Sequence, residues 1–97
     1  MIFSPMSNVR AHVYILGHVQ GVFFRATTKE KASEYGIHGW VKNCTDGRVE
    51  AVFEGKKEAV DKIIDWCRKG PAGAFVEEMQ VHKEEYSDAF DGFSIIF

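Results

Sequence analysis

Ninety-seven residues, 45% hydrophobic and 13% aromatic, make one domain with enough apolar side chains for a core, which excludes a disordered chain. No apolar run nears the roughly 20 residues that span a bilayer, and two cysteines, Cys44 and Cys67, make neither a disulfide framework nor a zinc spacing. The net charge of −2 is uneven: Arg10, Arg25, Lys29 and Lys31 face only Glu30 in residues 8–31, whereas residues 75–97 set Lys83 against Glu77, Glu78, Glu84, Glu85, Asp88 and Asp91. The basic stretch suits an anion site, and the acidic one reads as solvated surface.

Residues 1–8 are expected to be a flexible tail before a single domain over 9–97, with Met1 and Met6 both candidate starts. Met1–Pro5 lacks the basic, extended pattern of a signal peptide, so a cytoplasmic location is expected. Val9, Ala11, Val13 and Ile15 alternate with Arg10, His12 and Tyr14, the period of a half-buried strand. A glycine-containing loop follows, then a helix from about Phe24 to Tyr35 with Phe24, Thr28, Ala32 and Tyr35 on one stripe and Gly36 as its cap. Residues 38–44 and 48–54 read as two strands around the Thr45-Asp46-Gly47 turn, with Val49, Ala51 and Phe53 inward and Glu50 and Glu54 outward. Residues 57–69 place Val60, Ile63, Ile64 and Cys67 on one helical face, and Gly70-Pro71 ends it. Phe75 to Lys83 and Phe93 to Phe97 complete the strands. The order βαββαβ plus a terminal strand predicts an α/β (α+β) ferredoxin-like sandwich, its mainly antiparallel sheet carrying two helices on one face.

Residues 17–25, Gly-His-Val-Gln-Gly-Val-Phe-Phe-Arg, carry the chemistry. Gly17 and Gly21 permit a tight loop whose N–H groups converge, the helix start adds its positive end, and Arg25 offers a planar fork. Together they read as a cradle for a phosphoryl group. It is not a P-loop, because Gly17 and Gly21 are one residue too close and no lysine follows. It is not the dinucleotide fingerprint. A cysteine phosphatase would have its nucleophile at position 19, which is Val19. No aspartate adjoins the loop, and no residue cluster suggests a metal. The loop holds phosphate but offers nothing to attack it, which leaves water. Asn43, in the segment Gly39 to Gly47, is a candidate to orient that water. A carboxamide positions water without taking its proton, so the substrate needs a good leaving group, as in a carboxyl-phosphate anhydride.

The two segments, Gly17-x-Val19-Gln20-Gly21-Val22-x-Phe24-Arg25 and Gly39-x-Val41-x-Asn43-x-x-Asp46-Gly47-x-Val49-Glu50, closely resemble the two signatures of the acylphosphatases, and the resemblance runs from about Val9 to Phe97. It implies metal-free hydrolysis of acyl phosphates to carboxylate and inorganic phosphate, without a cofactor. It implies that Arg25 binds the phosphate, that Asn43 positions the water, and that Val19, Gln20, Gly21, Val22 and Phe23 contribute cradle amides. Gly17 shapes the loop. Two positions depart from the family: Cys44 stands where relatives often carry a hydroxyl residue, and many relatives differ at Phe97.

Blander readings attach to the neighbours. His18 is expected to be an exposed loop histidine, Gln20 to bond backbone rather than ligand, and Trp40 and Phe23 to serve as core or rim as readily as substrate contacts. Two other functions compete. One is a non-catalytic ferredoxin-like module, for example for single-stranded RNA. Mixed charge and no aromatic cluster on the face of Arg10, His12, Tyr14, Glu50, Val52 and Glu54 argue against it. The other is a carbamoyl-phosphate-hydrolysing accessory domain, as in hydrogenase-maturation proteins. The expected partner is a small acyl phosphate, with no nucleic acid, no membrane and a monomeric state.

Overall fold

The computed structural model describes residues 7–97. The expected tail residues 1–6 lie outside them. The last of the expected tail, Asn8, opens the first strand, and the Lys57 N–H donates to the Ser7 carbonyl, so the domain starts earlier than its alternation suggests. The elements run β1 (Asn8–His18), α1 (Phe24–Tyr35), β2 (His38–Asn43), β3 (Val49–Lys56), α2 (Lys57–Lys69), β4 (Phe75–Glu84) and β5 (Phe93–Ile96).

The sheet order is β4-β1-β3-β2-β5. β1 pairs antiparallel with β3 and with β4, β2 pairs antiparallel with β3, and only β2 with β5 is parallel. α1 packs over β2 and β5 and α2 over β1, β3 and β4, both on one face, as the ferredoxin-like reading expects. The α2 stripe of Val60, Ile63, Ile64 and Cys67 is buried throughout. Each such apolar side chain contributes about 2 kcal/mol on burial. These residues meet Ala11, Val13 and Ile15 of β1 and Val49, Ala51 and Phe53 of β3 in one core. Burial also pushes the Cys67 thiol well above its ordinary pKa.

The second face corrects two expectations. Glu54 does not point outward into water: it is 2% exposed. The segment after β4 folds back over it, so Ser87 N and Ala89 N donate to its carboxylate at 3.0 and 3.3 Å, the Ser87 hydroxyl at 3.2 Å and Arg10 at 3.4 Å. Alternation told which face Glu54 occupies but not that the chain returns to cover it. That face is not without aromatic contacts either. His12 stacks on Tyr14 at 5.0 Å and meets Trp40 edge-on at 5.9 Å, and Tyr14 meets His82. These rings sit among carboxylates, however. His12 places one ring nitrogen 2.6 Å from Glu50 and the other 3.0 Å from Glu84, and Arg10 pairs with Glu54 and Glu84, so the charges of this face are engaged with one another.

Strand direction places the site. β1 and β2 both run opposite to β3, and β5 runs with β2. The C-terminal ends of all three therefore share one edge of the sheet. The loop after β1, Asn43 at the end of β2 and Phe97 just past β5 meet there, beside the start of α1.

Candidate active site

β1 ends at a register shift between Leu16 and Gly17 against β4. Gly17 has φ 135°, and a Cβ there would lie 2.2 Å from the Phe75 carbonyl oxygen, so the position is closed to any side chain. Gly21 has φ 75° but open space around it, so conformation alone requires glycine. Phe23 then adopts φ 63°, a left-handed conformation that is costly for a residue with a Cβ. These turns close the loop over residues 19–23 and aim it at the α1 N-terminus.

The helix start carries no side-chain cap and no acidic residue in its first turn. Its first N–H groups lack intrahelical acceptors and remain available to an anion, favoured further by the helix dipole. Arg25 lies in that turn. Among the described residues its guanidinium has no hydrogen bond or ion pair, and its one ring contact is Phe97, whose centroid lies 5.2 Å from the guanidinium carbon. The ring sits against the guanidinium, whose N–H groups have no hydrogen-bond partner among the described residues.

The loop is tied to the hairpin that carries Asn43. The Gln20 carboxamide donates to the Cys44 carbonyl at 2.8 Å and to the Arg48 carbonyl at 3.0 Å, as the backbone-bonding expectation holds. The hairpin is closed by Cys44 N to Arg48 O, while Arg48 pairs with Asp46 across the turn. Asn43 itself, half-buried, makes no side-chain hydrogen bond among the described residues. A pocket of about 330 Å³ gathers Val19, Gly21, Phe23, Arg25 and Asn43 with Phe24, Ala26, Ile95 and Phe97.

The predicted residues thus divide. Val19, Gly21, Phe23, Arg25 and Asn43 line one pocket. Gln20 turns its side chain to the hairpin, and Val22 packs against the core, so both would serve through backbone alone. Gly17 shapes the loop from behind. His18 is exposed, and Trp40 lies on the other sheet face against His12. The Cys44 thiol faces Glu50 at 3.5 Å, and burial with that carboxylate raises its pKa, which disfavours the thiolate. Sequence reasoning missed Ile95 and Phe97 as pocket residues. Only the parallel β2–β5 pairing brings them here.

The sequence profile of the acylphosphatase family matches residues 11–95, nearly the whole chain. The chain belongs to the acylphosphatase family. It is 58% identical over 92 residues to the acylphosphatase of Pyrobaculum islandicum, covering 94% of this chain and 97% of that one. Among solved structures it is similar to the acylphosphatase from Bacillus subtilis, with TM-score 0.88 and 30% identity over 92% of this chain and 99% of the other. The acylphosphatase from Coxiella burnetii superposes with TM-score 0.87 and 34% identity, covering 92% and 93%. Membership makes this chain an acid-anhydride hydrolase, acting on the family's acyl phosphates.

Proposed function

We propose that the pocket at the α1 N-terminus hydrolyses carboxyl-phosphate anhydrides by direct attack of water on phosphorus. The observation that carries this reading is the pairing of two polar side chains with no hydrogen bond or ion pair among the described residues, Arg25 and Asn43, in one pocket beside an uncapped helix start. The loop amides of Val19 to Phe23 and the Arg25 fork hold the phosphoryl oxygens and offset the charge that gathers on them in the transition state. The Asn43 carboxamide orients water toward phosphorus. The water oxygen bonds to phosphorus as the P–O bond to the acyl group breaks, and the electron pair leaves on the carboxylate. The two water protons end on phosphate, giving RCOO⁻ and H₂PO₄⁻ from the acyl phosphate dianion. No protein base is required, because a carboxylate is already a competent leaving group.

The reading invokes no metal and no cofactor, and it places the enzyme, as a monomer, in the cytoplasm with both cysteines reduced. The test is benzoyl phosphate hydrolysis in excess EDTA, by wild type and by Arg25→Ala. Wild-type activity is expected to survive chelation. Arg25→Ala is expected to lose roughly 10³-fold in kcat/KM together with inhibition by inorganic phosphate, while keeping the wild-type circular dichroism spectrum. Activity lost to EDTA and restored by a divalent ion, or normal phosphate inhibition of folded Arg25→Ala, overturns it.

A further inference from the structure

We infer that the exposed rings of Phe23 and Phe97 form an acyl subsite, so that this enzyme selects acyl phosphates with apolar, above all aryl, acyl groups over small or charged ones. The inference rests on the proposed catalytic reading and adds the substrate class to it.

Five large apolar side chains are exposed among the described residues: Phe23, Phe75, Val81, Ile96 and Phe97. The two most exposed, Phe97 at 98% and Phe23 at 79%, both line the pocket of Arg25 and Asn43. Exposed aromatic surface gathered at one pocket mouth, rather than scattered, marks a contact site. Neither ring is explained by folding. Phe23 holds a left-handed backbone that glycine or asparagine would adopt at less cost, gives no side-chain cap to α1, and is not part of the core cluster. Phe97 is absent from the core as well.

The rings also stand where an acyl group must go. Phe97 lies over the Arg25 guanidinium at 5.2 Å, so a phosphoryl group on the open edge of that fork has the ring beside it. The acyl group is only one bridging oxygen from phosphorus. Register fixes the placement: Lys42 pairs with Ile96, which puts Asn43 and Phe97 at the same level of adjacent strands. Deeper in, Phe24 and Ile95 continue the apolar wall. Among the described residues Arg25 and Asn43 are the only polar side chains lining this pocket, so a charged acyl group finds no second counter-charge there once phosphate takes Arg25.

The test compares kcat/KM for benzoyl and acetyl phosphate, with inorganic phosphate Ki, in wild type, Phe97→Ala, Phe97→Leu and Phe97→Tyr. Comparing each variant with wild type cancels the intrinsic reactivity of the two anhydrides. Phe97→Ala is expected to lower the benzoyl-to-acetyl ratio roughly 10-fold, the scale on which an apolar pocket discriminates. Phe97→Leu is expected to fall between, Phe97→Tyr to keep the ratio, and phosphate Ki to stay within about two-fold throughout. An unchanged ratio in Phe97→Ala overturns the subsite. So does an equal loss on both substrates with a raised phosphate Ki, which would make Phe97 a prop for Arg25. Hydrolysis of neither substrate by wild type fells the catalytic reading beneath it. Hydrolysis of both, with a ratio that Phe97→Ala leaves untouched, fells only the subsite.

Discussion

Arg25 and Asn43 share a property that separates them from Arg48 and Gln20 nearby: among the described residues neither side chain makes a hydrogen bond or ion pair. Arg48 is spent on Asp46 and the Tyr14 ring, and Gln20 on two carbonyls. A guanidinium not bonded within the protein is free to exchange water for an oxyanion, and its two-pronged edge matches phosphoryl oxygens better than a point charge can. Asn43 has a narrower task. If it positions water, its removal acts on the transition state and not on phosphate binding. Asn43→Ala is expected to lower kcat roughly 10²-fold or more and leave phosphate Ki near wild type. Asn43→Asp is not expected to rescue, because a carboxylate facing a phosphoryl dianion is repelled. Wild-type kcat in Asn43→Ala, or a defect confined to phosphate Ki, contradicts the assignment.

The loop between β1 and α1 is shaped by two glycines for different physical reasons. At Gly17 the neighbouring β4 backbone occupies the space of a Cβ, while at Gly21 the space is open and only φ excludes other residues. Gly17→Ala is therefore expected to cost roughly 3 kcal/mol, because the clash is with main chain that cannot step aside. Gly21→Ala is expected to cost about 1 kcal/mol, and Gly21→Asn less, since asparagine tolerates the left-handed region. Chemical denaturation of the three variants checks this, and equal costs at the two glycines would refute the distinction. Most of the elements and the loop were legible in the residues. Alternation marks β1, the 57–69 stripe marks α2, and Asp46-Gly47 marks the hairpin. What local pattern does not carry is partnership. Glu54 reads as a solvent-facing alternate of β3 until the 85–90 segment lies over it, and Phe97 reads as a strand end until β5 pairs parallel to β2. Gln20 was readable as a backbone binder because an amide in an apolar loop needs partners. Which carbonyls it would find depended on the fold.

At the scale of the molecule, the second sheet face ties stability to pH. Burial alone would raise the Glu54 carboxyl, but donation from Ser87, Ala89 and Arg10 outweighs it and holds the group below its ordinary range. Glu50 and Glu84 are likewise lowered: His12, Tyr14 and Cys44 bond Glu50 strongly enough to overcome its burial, and His12 and Arg10 bond Glu84. A carboxyl whose folded pKa is depressed contributes stability above its unfolded pKa and loses it as pH falls through the folded one. Stability is thus expected to decline below about pH 4.5, as the ordinary glutamate range is crossed downward. Glu54→Gln is expected to cost about 2 kcal/mol at pH 7 and to flatten that acid limb. Thermal melts from pH 7 to pH 3 read both, and an acid limb as steep in Glu54→Gln as in wild type would contradict it. The sheet order has one more consequence, for how the molecule comes into being. β1, which leads into the glycine loop, has no partner close to it along the chain: Val13 lies between Ala51 and Val81. Long segments must close before that strand is held on either side, an entropic toll that slows the search for the native state. The loop, the asparagine and the ring beside the arginine come from three strands that meet only when this closure is complete. The β1–α1 piece carries the loop and Arg25 and the β2–β3 hairpin carries Asn43, but no early hairpin or isolated βα piece carries the whole pocket, so its lining is complete only in the finished topology.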